Sequence, residues 1–305
     1  MHKIPTVVIS QTKARRQPLI DLLAKFSEFD THIQPGIDGR EFIGNEEYVD
    51  LRAFRFLNRR EMLPGEAGCT LAHYSVYKKI LENKWSWTLV FEDDSRVLPE
   101  EIVKIPELIK AIDACSDLYD QPILVHLNLD EARIVGRRMA LDDHKVILET
   151  YTVLRLANAY LINFKAAEIA VREGLPVEDV PDWPHWIAKL RFLVHLNDVV
   201  FVDRNLGSEI GLRADIAVRQ SNFRLIMKKI TTLWFFVTGI EARRYRKNTR
   251  LNDYMTWIVL DRIFRFMGNH YGKSDLERKN VVLLESPLID FVRNINKKKN
   301  ASRFK

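Results

Sequence analysis

A chain of 305 residues with 47% hydrophobic content is long enough to bury a sizeable core, which excludes disorder as its default state. Its net charge of +6 is unevenly spread: residues 221–305 carry 19 Lys and Arg against 7 Asp and Glu, or +12, while residues 1–220 carry 28 against 34, or −6. The asymmetry points to an anionic partner for the basic end, either nucleic acid or a membrane surface, and a non-enzymatic binder of one or the other is an alternative; the acidic body disfavours a reader of phosphate backbones, so nucleic acid is not the expected partner.

In chain order, "PTVVIS" at 5–10 predicts a first strand and "ARRQPLIDLLAKF" at 14–26 a helix with Leu19, Leu22, Leu23 and Phe26 apolar. The turn signal "PGIDGRE" precedes a second helical region, and "LPGEAGCTLAHYSVYKKILENKW" predicts a helix that starts near Gly65–Gly68. Trp87–Phe91 then forms a buried strand that runs into Glu92, Asp93 and Asp94. Further strands are expected in "PILVHLNL" at 122–129 and "DVVFVDRN" at 198–205, and "ANAYLINFKAAEIAVREG" at 157–174 reads as a strand passing into a helix that Gly174 ends. Strands alternating with helices imply an α/β fold with a mainly parallel sheet flanked by helices. No internal repeat, GxGxxG or GxxxxGK[ST] motif occurs, which disfavours a Rossmann dehydrogenase or a P-loop NTPase. "MHKIPTVVIS" gives way at once to the polar "QTKARRQ", unlike a signal peptide, so a cytoplasmic location is expected. Cys69 and Cys115 show no metal-ligand spacing and should stay reduced there.

Three successive carboxylates repel one another unless they are solvated, protonated or neutralised by a cation. On an extended backbone Glu92 and Asp94 share a face and Asp93 points away, and two oxygens on one face suit a hard divalent cation, Mg²⁺ or Mn²⁺, completed by water and a diphosphate. The competing reading is a helix start, with Asp94 or Ser95 capping "RVLPEEIVKI" and Glu100 and Glu101 favouring its dipole. The same carboxylates would also serve a metal-dependent nucleotidyltransferase or phosphohydrolase. His73, between Leu71 and Val76, reads as a hydrogen-bonded core histidine, and Tyr160 as core.

"LPGEAGCTLAHYSVYKKILE" followed by "WTLVFEDDSRVL" resembles the signature of glycosyltransferase family 25, the lipooligosaccharide galactosyltransferases and their relatives, in which PGE-x-G-C-x-x-S-H-x-S-x-W precedes a strand ending in EDD. "VVISQTKARRQPLI" is similar to the family's opening strand and Arg-Arg pair, "GIDGRE" to its A-x-D-G turn, "ANAYLINFKAAEIAV" to its G-x-Y-x-I-S-x-x-A segment, and "VPDWPHW" stands where it has P-V-D. Ala72, Tyr77 and Asn163 replace the usual Ser, Trp and Ser. The resemblance implies a GT-A-like fold over residues 1–220, a Rossmann-type mixed sheet flanked by helices, with a UDP-sugar donor over the carboxyl ends of the strands. It implies Asp94 as the first metal ligand with Glu92 beside it, and Asp93 or Glu92 orienting the ribose or a metal-bound water. Ser10, Arg15 and Arg16 would meet the diphosphate or the uracil, with Asp38 at the neighbouring turn. Inverting transfer needs a general base, for which Asp182 is first choice, with Asp179 and Asp203 behind it. The implied reaction moves galactose from UDP-galactose onto a lipooligosaccharide or related lipid-linked acceptor.

The remaining segment, 221–305, is expected to be a mainly helical extension. Ile226, Ile230, Leu233, Trp234 and Val237 recur at helical spacing, with Lys228 and Lys229 before and Arg243, Arg244, Arg246 and Lys247 after. That apolar run is far shorter than the ~20 residues that span a bilayer, but it suits a helix lying on the inner face of the cytoplasmic membrane or packing on the catalytic domain.

Overall fold

The computed structural model describes residues 3–58, 60–128, 134–141, 146–150, 156–182, 184–195, 199–203 and 281–283. The expected boundary near residue 220, the amphipathic stretch from Ile226 to Val237 and the basic cluster at 243–247 lie outside them. Among the described residues no helix is long and apolar enough to cross a membrane.

Strand β1 (Ile4–Ser10) leads through α1 (Lys13–Leu23) to β2 (Phe29–Pro35); a 3-10 turn (Gly39–Glu41) and α2 (Leu51–Asn58) precede the long helix α3 (Pro64–Asn83), which feeds β3 (Trp87–Glu92). There follow β4 (Ser95–Val97), α4 (Pro99–Ile102), α5 (Ile105–Ala114), β5 (Ile123–His126), β6 (Ile134–Ala140), β7 (Val146–Thr150), β8 (Ala159–Asn163), α6 (Phe164–Glu173), β9 (Arg191–Val194), β10 (Val200–Val202) and β11 (Val281–Leu283). Among the described residues nine strands form one sheet in the order β11-β6-β7-β9-β5-β8-β3-β1-β2, and β4 pairs with β10 in a separate two-stranded ribbon.

The central strands alternate strictly between two cores, as a sheet covered on both faces must. Leu89 and Phe91 of β3, Val8 of β1 and Leu161 of β8 pack with Leu19 and Leu23 of α1 and Ile105 and Ile112 of α5. Val90, Val7 and Ile162 face the other way, onto Val76 and Ile80 of α3 and Ala166 and Ala170 of α6. The result is a three-layer α/β/α arrangement, the layout of a GT-A-like fold. Its sheet is mixed rather than mainly parallel: four pairings are parallel and four antiparallel. The antiparallel β8, inserted between β3 and β5, is buried on both sides and so reads as apolar as any parallel strand. At its end Asn163 does the work of a capping serine, its side-chain oxygen accepting from the Ala166 N–H (3.0 Å).

The helix-start reading of the acidic triplet is not what forms. Asp93 and Asp94 occupy a turn between β3 and β4, Ser95 donates to the Asn158 carbonyl (2.8 Å), and the helix begins only at Pro99 with no side-chain cap. The triplet is thereby free of a capping role. Its placement follows from topology: the chain leaves β1 for β2 on one side and returns to β3 on the other. In open α/β sheets the crevice beyond the carboxyl ends of such a pair is where ligands bind.

Candidate active site

Register brings the first contacts together. Ile9 pairs with Glu92 across β1 and β3, so Ser10 comes to lie beside Asp93. Ser10 Oγ donates to Asp93 Oδ2 (2.6 Å), and Arg15 Nε, from the first turn of α1, donates to Asp93 Oδ1 (2.9 Å). Both oxygens of Asp93 are therefore engaged in holding the β1–α1 loop to the β3 turn. The expected alternation, with Asp93 pointing away, does not hold, because the extended backbone ends at Glu92; all three carboxylates line one cleft.

Asp94 is different in kind. Its Oδ1 is buried without a hydrogen-bond partner. Burial, and then the charges of Glu92 and Asp93, push its carboxyl up to about 7. A buried, unpartnered carboxylate oxygen in a field of like charge is a position that a hard divalent cation would satisfy, and the donor set there is all oxygen. Its main chain is fixed from outside: the Asp203 N–H donates to the Asp94 carbonyl (2.7 Å). The Asp203 carboxylate itself pairs with Arg96 (2.6 Å) across the β4–β10 ribbon, so Asp203 braces the turn that carries Asp94.

The opposite wall of the cleft is backbone. Gly36 and Ile37 face Gly65, Gly68 and Cys69 of the first turns of α3. A Cβ on Gly68 would overlap the Ile37 carbonyl, and one on Gly39 would overlap the Pro64 carbonyl, so the 3-10 turn is packed main chain to main chain against the helix start. That is why Asp38-Gly39 is more than a turn former. The Asp38 side chain is turned to Arg40, which it holds bidentately, and so caps its own turn at the edge of the site; this pairing lowers the Asp38 carboxyl and raises the Arg40 guanidinium. Glu66, the acid of "PGE", is buried, reaches back to the Leu63 N–H (3.0 Å) and takes both nitrogens of Arg60 (2.6 Å each). Arg16 is half-buried on α1 and does not line the cleft.

Glu92 Oε1 anchors a network that the sequence reading assigned to the core. It lies 2.9 Å from His73 Nε2 and accepts from the Cys69 thiol (3.5 Å). His73 Nδ1 is 2.7 Å from the Tyr160 hydroxyl, which donates to that of Tyr77 (3.2 Å), itself edge-on to Trp186. Burial would raise the Glu92 carboxyl, but the His73 contact, together with the Cys69 bond and the Arg15 charge, holds the group below its usual range. Burial, with Glu92 second, pushes the Cys69 thiol well up; burial likewise raises Tyr160 and Tyr77. Cys69 and His73 stand one helical turn apart, an i, i+4 spacing that puts both side chains on one face of α3.

Asp182, the expected base, lies close enough for its carboxyl to feel the Glu92 charge. Its Oδ1 accepts from the Ala157 N–H (2.8 Å), and burial raises its carboxyl in spite of that bond. Asp179 is drawn into the fold instead, accepting from Asn58 (3.1 Å) and its own neighbour Val180. The structure thus gathers Ser10, Arg15, Glu92, Asp93 and Asp94 around one cleft, sets Asp182 nearby, and leaves Arg16, Asp38 and Asp203 at its margin.

A family model described as glycosyltransferase family 25 (LPS biosynthesis protein) matches residues 3–170. A glycosyltransferase 25 family member of Drosophila pseudoobscura pseudoobscura is 32% identical over 94 residues, which are 28% of this chain and 14% of that protein. Human procollagen galactosyltransferase 2 is 30% identical over 112 residues, 34% of this chain and 17% of the relative. The chain thus matches under a fifth of the length of either relative. Among solved structures, GlyE of Streptococcus pneumoniae TIGR4, a glycosyltransferase, is similar over 64% of this chain and 46% of its own at 14% identity and a TM-score of 0.30. A glycosyltransferase involved in glycosylation of the major capsid of PBCV-1 covers 64% of this chain and 93% of its own at 12% identity and a TM-score of 0.27.

Proposed function

The chain belongs to glycosyltransferase family 25, and from that premise we propose that it is an inverting, metal-dependent hexosyltransferase that moves galactose from UDP-galactose onto a lipooligosaccharide or related lipid-linked acceptor. A sugar donor and a glycan acceptor go with the family. The observation that carries the metal and the diphosphate is the buried, unpartnered Asp94 oxygen at the cleft floor. Galactose is put first because the human relative is a galactosyltransferase by name.

In this reading the donor lies across the carboxyl ends of β1 and β3. Arg15, held through Nε to Asp93, presents its guanidinium at the wall of the cleft toward the diphosphate. The start of α3, with Gly65 on the facing wall, adds its partial positive charge there. Mn²⁺ or Mg²⁺ at Asp94, with Glu92 adjacent, would supply the charge that stabilises the leaving diphosphate as the glycosidic bond breaks. Asp182, with its carboxyl raised by burial, takes the proton from the attacking acceptor hydroxyl.

A panel of UDP-sugars with Mn²⁺, with the products resolved, tests this. Transfer of the glycosyl group with release of UDP, lost in EDTA and in Asp94→Asn, is the expected result. Full activity in EDTA would refute the metal. Transfer of a nucleotidyl or phosphate group would place the chain's chemistry with the nucleotidyltransferases or phosphohydrolases.

A further inference from the structure

We propose that Cys69, His73 and Glu92 form a binding site for a thiophilic divalent cation of the Zn²⁺ class, distinct from the hard-ion position at Asp94. The three ligand atoms, Sγ, Nε2 and Oε1, lie within 4.8 Å of one another. Tetrahedral Zn²⁺ with bonds of about 2.0–2.3 Å keeps its ligand atoms roughly 3.5 Å apart. The observed 2.9 Å between Nε2 and Oε1 and 3.5 Å between Sγ and Oε1 need only small rotamer adjustments to reach that spacing. Two of the ligands come from successive turns of one rigid helix and the third from the last residue of a central strand, so the set is held by the scaffold rather than by loops.

The ligands are already oriented from behind. The hydroxyl of Tyr160 sits 2.7 Å from His73 Nδ1 and donates onward to Tyr77. Its oxygen is left to accept from an Nδ1–H, the tautomer that points the Nε2 lone pair at the site. Such a supporting partner is the usual companion of a metal-bound histidine. Cys69 and Glu92 line the open cleft, which gives an ion a way in and leaves its fourth position to water.

Binding requires the thiolate and a bare Nε2, so any proton those atoms carry leaves to solvent as the cation enters. Thiolate and imidazole select Zn²⁺ over Mg²⁺ or Mn²⁺, whereas the all-oxygen position at Asp94 selects the reverse. Glu92 borders both positions. The site rests on its own ligands and not on the sugar-transfer reading.

Co²⁺ is the probe, because a cobalt–thiolate bond adds a charge-transfer band in the near ultraviolet that a site of oxygen and nitrogen lacks. The metal-stripped full chain titrated with Co²⁺ should develop that band at one equivalent, and Zn²⁺ should abolish it. The chain has two cysteines; Cys69→Ser should lose the band and Cys115→Ser keep it. Asp94→Asn should keep it too, since that variant disables only the hard-ion position. His73→Gln should weaken Co²⁺ binding by at least the roughly 10–100-fold that loss of even a supporting residue entails. Absence of the band in the wild-type chain, its loss with Cys115, or unchanged affinity in His73→Gln would each overturn the proposal. Should Cys69→Ser fail to fold, the wild-type band and its survival in Cys115→Ser still assign the sulphur.

Discussion

At Asp94 the folded carboxyl titrates near 7, whereas an unfolded one titrates near ~3.9. Between those values the folded chain binds more protons than the unfolded one, so stability present at the acid end of the window is lost as pH rises through it. Glu92 has the opposite sign, but its lowered carboxyl acts below the ordinary carboxylate range and so outside that window. We therefore expect the metal-free protein to melt lower at pH 8 than at pH 5, Asp94→Asn to narrow that difference, and Mn²⁺ at pH 8 to restore the loss. A pH-independent melting point unaffected by Asp94→Asn would remove the like-charge argument. Asp182 calls for a kinetic test. Asp182→Asn should lower turnover by about 10²–10⁴ with UDP-sugar binding nearly unchanged, because a base acts on the acceptor in the transition state. Collapse of donor affinity would move Asp182 to the donor site. Sequence made these residues visible as a cluster of charge and as a family motif. It could not show their division of labour, because the turn after Glu92 breaks the alternation from which their directions were inferred, and because the partners of Asp93 come from 83 and 78 residues away.

The elements around the cleft were legible in proportion to their burial. Strands β1 and β3 and helix α3, with long apolar runs, fall close to their expected bounds. The edge strand β2, "FDTHIQP", was missed because most of its side chains remain at least partly exposed and its hydropathy carries no strand pattern. The short β4 and β9 pair in place through tertiary contacts, which no local signal announces. Main-chain packing of the 3-10 turn on α3 was equally hidden, since two glycines at a contact look like two glycines in turns. Its energetics are testable. Gly68→Ala must displace the Ile37 carbonyl, and should destabilise the protein by about 1–3 kcal/mol and weaken donor binding, read as a lower melting point and a raised donor Kd. Wild-type stability in that variant would mean that the turn can move aside at no cost.

For the molecule as a whole, the charge division is the strongest statement that sequence alone makes, and it falls on a segment of which only β11 is among the described residues. In the proposed reading a body of −6 would be repelled by an anionic leaflet, and the +12 segment would supply both attraction and orientation toward a lipid-anchored acceptor. Changing Arg243, Arg244, Arg246 and Lys247 together to Glu should leave melting and donor hydrolysis nearly unaltered. At about 1 kcal/mol per basic residue it should weaken liposome binding on the order of a thousandfold at low salt. Activity on a lipid-anchored acceptor should fall with it and activity on a soluble one should not; unchanged liposome binding would make the cluster a solvated face. The position of β8 has a further consequence. Because it pairs on both sides with β3 and β5 and is covered by a helical layer on each face, the amides of this part of the sheet can meet solvent only when the whole domain opens. Hydrogen exchange there should be as slow as global stability allows, so a bound donor should slow it only by stabilising the entire fold. Local protection should therefore register in the loops that line the cleft, at residues 11–13, 36–41, the Asp93–Asp94 turn and the first turn of α3, and deuterium uptake in those peptides becomes the direct readout of cleft occupancy.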